Sequence, residues 1–287
     1  FVVIVGYRII KNAFKPVKQI SDTALEIKRS KDFSNRINLG DSSDDEIHKM
    51  ASTFNEMLDT VEEVFIHEKQ FSSDVSHELR TPVTIILAQS DYALQYSETF
   101  EEAKESLEVI NRHAKRMTNL INQIMELSKL ERQKEIEKER INLSNVVLQL
   151  LEDYKPLLES KNLNLIYNVE KDIRIQGNKI MLERVFLNIL MNAIKFTKTN
   201  IEVSLIRDDK TAVLKIRDDG IGISDENKKF IWERFFQVND SRNKVENKGI
   251  GLGLSMVKKI VDLHSATIDL ESELEQGTCF TIKFNMQ

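Results

Sequence analysis

Val17, Ile20, Ala24 and Ile27 recur at steps of three and four, and so, after a polar connector containing Gly40, do Ile47, Met50, Phe54, Met57, Val61 and Val64. An apolar position every three or four residues marks a helix with one narrow seam, so the spacing predicts two helices of coiled-coil type. The connector holds Phe33, Ile37 and Leu39, which suits a segment that runs back along the helices and brings the second up parallel to the first. An ordinary helical hairpin fits the same pattern. Continuing the second seam by the same steps meets Glu68, Phe71, Val75, Glu78, Pro82 and Ile85. The phase persists but stumbles at two glutamates, and a break of that kind makes two packings nearly equal in energy. Residues 96–100 end the pattern, and Thr99 with Glu102 forms a capping box that starts a new helix. Leu107, Ile110, Ala114, Met117, Ile121 and Ile124 then predict one more seam, running to about Leu130. Two such hairpins from two chains bury both seams in a four-helix bundle, which predicts a homodimer.

After Ile141 the pattern changes. Ser144 is placed to cap a helix, residues 162–169 and 173–175 read as strands, and residues 178–195 read as a strongly apolar helix. Residues 201–207 and 211–217 alternate around a turn at Asp208, Asp209 and Lys210, and residues 266–272 and 278–284 do so around residues 275–277. Helices with a mostly antiparallel sheet predict a two-layer α/β sandwich. The charged run at 132–140, RQKEIEKER, has one aliphatic residue and reads as a solvated helix end and hinge. The fold class is therefore multidomain, an all-α coiled-coil or four-helix-bundle N-terminal half followed by the α/β sandwich.

Composition narrows the partners. A length of 287 residues accommodates two or three small domains, and a net charge of −5 argues against a bulk nucleic-acid binder. The single cysteine, Cys279, cannot form an internal disulfide, which fits a reducing compartment. The opening FVVIVGYRII is shorter than the roughly 20 apolar residues a bilayer span needs and lacks a cleavage site. Followed by Arg8, Lys11, Lys15 and Lys18, it reads as the cytoplasmic end of a transmembrane helix, with its positive flank inside. A plain amphipathic N-terminus is the alternative. The expected location is the cell membrane, with this chain on the cytoplasmic side.

Residues 71–84, FSSDVSHELRTPVT, set His77, Glu78 and Thr81 in one helical pattern. His77 and Thr81 are i and i+4 and share a face. A neutral imidazole is an available nucleophile at pH 7, and a neighbouring carboxylate can take its proton. Pro82 removes a backbone donor and tends to bend the helix there. An isolated His-Glu pair is ordinarily a surface feature, but this whole string resembles the H-box of bacterial sensor histidine kinases. The rod before it resembles the HAMP linker of membrane receptors, from Pro16 before the first run and Asp45-Glu46 at the start of the second.

Three further motifs follow in order. Asn188, Asn192 and Lys195 fall on one side of a helix; amide oxygens suit Mg²⁺ and a lysine suits phosphate. Asp218-Asp219-Gly220-Ile221-Gly222 follows a strand directly, placing a carboxylate at its end with glycines beside it. Gly249, Gly251, Gly253 and Leu254 open a helix whose first N–H groups can bind phosphate oxygens. Each is weak alone. A dinucleotide loop is excluded by context, because that fingerprint needs a preceding strand in a parallel unit, and no GxxxxGK[ST] is present. Together they resemble the N, G1 and G2 boxes of the ATP fold shared by histidine kinases, gyrase and the mismatch-repair ATPases. Residues 230–236, FIWERFF, resemble the F-box, and residues 237–248 correspond to the ATP lid.

The resemblance implies ATP and Mg²⁺ as cofactors. It assigns Asn188 and Asn192 to the Mg²⁺ and phosphate shell, with Asn192 as the metal ligand, Lys195 to the phosphates, Phe196 to the nucleotide lining and Asp218 to the adenine amino group. Gly220, Gly222, Gly249, Gly251, Gly253 and Leu254 shape the pocket and lid. Many members carry arginine where this chain has Gln237, so Arg242 or another lid cation is left to serve the γ-phosphate. Gyrase-type relatives carry a glutamate where this chain has Asn188, and an amide cannot activate water, which favours transfer to a supplied nucleophile over hydrolysis. The implied function is a sensor histidine kinase that phosphorylates His77 and passes the phosphoryl group to an aspartate of a response regulator, with Thr81 serving regulator dephosphorylation. The domains are expected at residues 1–10 (membrane helix end), 11–66 (HAMP-like linker), 67–136 (dimerisation and phosphotransfer) and 137–287 (ATP-binding). A hydrolytic ATPase clamp and a non-catalytic dimer scaffold are the rival readings.

Overall fold

The computed structural model describes residues 3–4, 7, 14–38, 46–238 and 249–286. It divides into two compact units, Phe1–His77 and Glu78–Gln287. Of the expected membrane-helix end only residues 3, 4 and 7 are described, and no helix among the described residues is long and apolar enough to cross a membrane.

In the first unit, α1 (Lys15–Ser30) ends in Lys31 with a left-handed backbone, φ 55°. The following connector returns alongside α2 (Glu46–Gln95). Phe33 meets Phe65 with ring centroids 5.4 Å apart, and Arg36 bonds Asp59 at 2.6 Å. The Ile37 peptide then exchanges two 2.9 Å hydrogen bonds with the Asn55 amide. The end of α1 thus lies beside the later turns of this stretch of α2 and the connector runs back toward its start, so the two helices are parallel. Leu39 and Gly40 lie outside the described residues.

The buried edge of α2 differs from the predicted seam. Ile20, Ile37 and Ala51 form a core with Ile47 and Phe54 against it, and Leu58 is buried too, while Met50, Met57 and Val64 are exposed, as is Val17 on α1. The physical reason is width: α2 is apolar at both 47/54/61 and 51/58, and small Ala51 allows close approach on the second edge. Burial then ceases from Glu63 to Gln70 and resumes at Phe71, Val75 and Pro82. α2 stays one α-helix through Pro82, so the proline is accommodated without ending it.

In the second unit, α3 (Phe100–Arg132) begins at Thr99, whose hydroxyl accepts from Glu102 N–H at 3.2 Å. The return bond of the capping box reaches one residue further back, to Glu98 N–H at 2.9 Å. Its buried positions are Ser106, Leu120, Leu127 and Leu130, whereas Leu107, Ala114 and Ile121 of the predicted seam are exposed. The buried edge is again displaced by one position, here toward the N-terminus, because Leu120, Leu127 and Leu130 offer a second apolar edge beside the predicted seam.

The sandwich follows. β1 (Glu139–Asn142) pairs antiparallel with β3 (Arg174–Gly177), so the end of the charged run at 132–140 is a strand rather than hinge throughout. α4 (Leu143–Ser160) is capped by Asn142, not Ser144. Ser144 instead accepts from Ile173 N–H and donates to Glu170 C=O, tying α4 to the loop before β3. The five-stranded sheet has the order β2 (Asn164–Val169), β4 (Asn200–Asp208), β5 (Thr211–Asp218), β7 (Gly277–Asn285) and β6 (Thr267–Glu273), parallel only between β2 and β4. Both predicted hairpins are present. α4, α5 (Lys179–Phe196) and α7 (Gly253–Leu263) cover it, with the short α6 (Asp225–Lys228) before the F-box. One apolar core joins sheet and helices, with Leu158, Phe186, Leu190, Leu205 and Ile260 among its buried members.

Candidate functional site

α5 owes its position to both ends. Asn178 accepts from Met181 N–H at 3.2 Å and donates its own N–H to His264 Nε2 at 3.0 Å. The His264 ring is oriented by Ile260 C=O on its Nδ1, and burial lowers its pKa. Val185, Phe186, Ile189, Leu190, Ala193 and Ile194 face the core, and the 3.6-residue period turns Asn188, Asn192 and Lys195 the other way. The Asn188 amide donates to Arg184 C=O at 3.0 Å, leaving its oxygen for the cavity.

At the end of β5 the two aspartates diverge. Asp218 is 6% exposed, and burial pushes its carboxyl up to about 6 against the opposing backbone hydrogen bonds of Gly220 and Thr278. Asp219 has some desolvation too, but hydrogen bonds from Thr197, Thr199 and Asn200 hold it well below the usual carboxylate range. Its two oxygens accept from Thr197 Oγ1 (2.6 Å), the N–H groups of Lys198, Thr199 and Asn200, Thr199 Oγ1 (2.6 Å) and Asn200 Nδ2 (2.9 Å). This clamp fixes the turn after α5 to the end of β5, and so sets Asp218 against the asparagine helix.

The glycine loops are pinned from behind. Ile221 C=O accepts from Glu275 N–H, and Ile223 N–H donates to Ser272 Oγ, both at 2.8 Å. Gly222 has φ 68°, and a side chain there would collide with Glu273 C=O. Gly251, at φ 81°, accepts from Phe235 N–H at its carbonyl and would strike the Phe235 backbone if it carried a Cβ. A Cβ on Gly253 would stand 2.8 Å from Asn188 Oδ1, and one on Gly249 would stand 3.4 Å from Lys195 Nζ. The N-terminus of α7 therefore reaches the asparagine face directly.

These pieces line one cavity of about 310 Å³: Asn188, Asn192, Lys195, Phe196, Asp218, Gly222, Gly249, Gly251, Gly253 and Leu254 all border it. Gly220 lies behind it, its N–H on Asp218 Oδ1 at 2.9 Å. Arg242 lies outside the described residues, whereas Gln237 borders the cavity. Sequence reasoning missed Thr278 and Phe280, the floor supplied by β7, and Gln123 from α3. Thr278 was discoverable only from register, since it is the residue opposite Asp218. Apolar residues with a buried carboxylate, amides, a lysine and a helix N-terminus, all bordering one cavity, suit a purine nucleotide with its phosphates. For Mg²⁺, which bonds few protein oxygens and takes the remainder from phosphates and water, the Asn188 and Asn192 amides fit. No cluster of three His, Cys, Asp or Glu among the described residues offers a closed protein cage.

On α2, His77 and Thr81 are exposed and Glu78 is half-buried, 3.9 Å from Arg116 of α3. The H-box string therefore displays its imidazole as the helical spacing predicts.

Comparison with known proteins follows the same order along the chain. Residues 8–63 match the HAMP domain, residues 67–133 the His Kinase A (phospho-acceptor) domain, and residues 177–287 the histidine kinase-, DNA gyrase B- and HSP90-like ATPase. The sensor histidine kinase YkoH of Bacillus subtilis is 30% identical over 98% of this chain and 62% of its own length. The signal transduction histidine-protein kinase ArlS of Staphylococcus aureus is 32% identical over 94% of this chain and 60% of its own. The chain thus spans about three fifths of these relatives. In fold it is similar to the Acinetobacter baumannii histidine kinase AdeS, with TM-score 0.58 and 23% identity over 74% of this chain and 98% of that one. It is similar also to histidine kinase ThkA, solved in complex with response regulator protein TrrA, with TM-score 0.65 and 21% identity over 79% of this chain and 64% of that one. Three modules in this order, and relatives of one kind along almost the whole chain, place it among the bacterial two-component sensor histidine kinases.

Proposed function

We propose that this chain is the ATP-dependent histidine kinase portion of a membrane-tethered, homodimeric sensor. The observation that carries this reading is the single cavity that gathers the asparagine helix, the buried Asp218 and the three glycines at the start of α7. Asp218 accepts the adenine amino group, Lys195 and the α7 N-terminus hold phosphate oxygens, and Phe196 lines the nucleotide. Asn192, with Asn188 beside it, would hold Mg²⁺, which when bound would supply charge neutralisation of the triphosphate. His77 Nε2 attacks the γ-phosphorus in line, the bond to the β-phosphate oxygen breaks, ADP leaves, and Glu78 takes the ring proton.

The phosphoryl group then passes from His77 to an aspartate of a response-regulator receiver domain. ThkA, solved with its response regulator, supports that class of partner. Thr81, one turn beyond His77, orients water against the regulator's aspartyl phosphate. The HAMP match and the Met50, Met57 and Val64 edge left exposed on α2 support a parallel dimeric rod reaching to the membrane. The basic residues Arg8, Lys11, Lys15 and Lys18 after the apolar start are the ground for placing the kinase on the cytoplasmic side.

The test uses γ-³²P-ATP and a receiver domain. Asn192→Ala is expected to abolish labelling, and Thr81→Ala to keep labelling while losing dephosphorylation of the regulator. Full labelling of Asn192→Ala would remove the pocket from the chemistry, and normal phosphatase activity in Thr81→Ala would remove the threonine's role.

A further inference from the structure

Gln123 belongs to α3, outside the ATP-binding lobe, yet it borders the same cavity as Asn188, Asn192 and Lys195. The packing of α3 explains how it gets there. Leu120, Leu127 and Leu130 are buried in one core with the lobe, and Ile124 packs against that core. Two ion pairs flank the contact, Glu126 with Arg184 of α5 and Glu131 with Arg234 of the F-box, the latter at 2.6 Å. Arg184 lies one turn before Asn188 and its carbonyl accepts the Asn188 amide. Gln123 lies one turn before Glu126 on the same face of α3. The Glu126–Arg184 pair therefore holds Gln123 on the α3 side of the cavity that the lysine, the asparagines and the α7 N-terminus also line.

A triphosphate presents only oxygen acceptors, and a carboxamide offers two N–H donors. We infer that Gln123 donates to the phosphates of bound nucleotide, so that α3 completes the nucleotide site when the lobe lies against it. This rests on the reading of the cavity as an ATP site. Two consequences follow by linkage. Nucleotide is held more tightly by the lobe clasped on α3 than by the lobe released from it, and nucleotide in turn favours the clasp by the same factor. The ion pairs and Gln123 then act on affinity as one unit rather than as independent contacts.

The experiment is equilibrium binding of a fluorescent N-methylanthraniloyl ATP to the full chain. Gln123→Ala is expected to raise Kd about ten- to a hundredfold, the loss of one hydrogen bond to a charged acceptor. Gln123→Glu, which brings a negative charge to the phosphates, should raise it further. The double change Glu126→Gln with Glu131→Gln, which loosens the clasp, should also raise Kd, but should have no added effect once Gln123 is alanine. Adenosine, lacking phosphates, should bind Gln123→Ala and the parent chain equally. An unchanged Kd in Gln123→Ala, or full additivity with the clasp variant, overturns the inference while leaving the ATP site standing. A parent chain that binds no analogue at all removes both.

Discussion

Asp218 and Asp219 are adjacent yet titrate in opposite senses, and each sense has a consequence. With its carboxyl pushed up to about 6 by burial, Asp218 is ionised at neutral pH and protonated below that value. In the proposed site the ionised form is the one that accepts the adenine amino group. Nucleotide affinity should be flat above about pH 7 and fall as pH drops through about 6, measurable by titration of the same fluorescent analogue. Asp219 works structurally. Asp219→Ala strands donors from Thr197, Thr199 and Asn200, and is expected to cost about 2–3 kcal/mol in urea denaturation. His264 adds an acid limit to stability. Its folded pKa is lowered by burial and its Nε2 must stay unprotonated to accept from Asn178. The unfolded chain therefore binds more protons below its ordinary value of about 6.5, so stability is full above that pH and declines as pH falls through it. His264→Phe should remove that decline; because the raised Asp218 pKa acts in the opposite sense in both chains, a parent and a His264→Phe variant with the same profile between about pH 5 and 7 would contradict it. Asp218 was legible because a carboxylate at a strand end before glycines has a chemical reading. The role of Asp219 was not, because its partners lie about 20 positions upstream and meet it only through the β4–β5 register.

Among elements, the helical rod was legible in period and only half legible in phase. Steps of three and four fixed the helices, but an apolar stripe wider than two positions does not say which edge its own chain covers. Ala51 and Leu58 are buried where Met50 and Met57 were expected, and Leu120 and Leu127 where Ile121 was expected. That division separates two kinds of mutation. Leu127→Ala, at 1% exposure in the core shared by α3 and the lobe, should cost about 2–5 kcal/mol. Ile121→Glu, on the exposed edge, should leave the unfolding free energy of the lobe unchanged and convert the dimer to monomer in light scattering. A dimer that survives Ile121→Glu, Met57→Glu and both together would contradict the assignment of that edge. Ser144 shows a different limit. A serine near a helix start reads as a cap, but Asn142 took that place and left Ser144 to link two loops, a choice made by the tertiary fold.

For the whole molecule, the order of motifs carried more than any of them singly. Asparagine pairs, DDG turns and glycine runs are common; their succession along one α/β sandwich resembled a single ATP fold, and the cavity collects them. What the order did not show was the reach of α3 into the same cavity, because Gln123 stands in no motif and arrives there only through the Glu126–Arg184 pair and the buried leucines. In the proposed mechanism the imidazole of α2 is the phosphoryl acceptor. The most direct measurement is to incubate the chain with γ-³²P-ATP and follow the label through acid and alkali, in the parent and in His77→Ala. The expected result is an alkali-stable, acid-labile label on the parent, absent from His77→Ala although that variant binds nucleotide with unchanged affinity. Label persisting on His77→Ala, or inorganic phosphate released from ATP with no labelled chain, would contradict it.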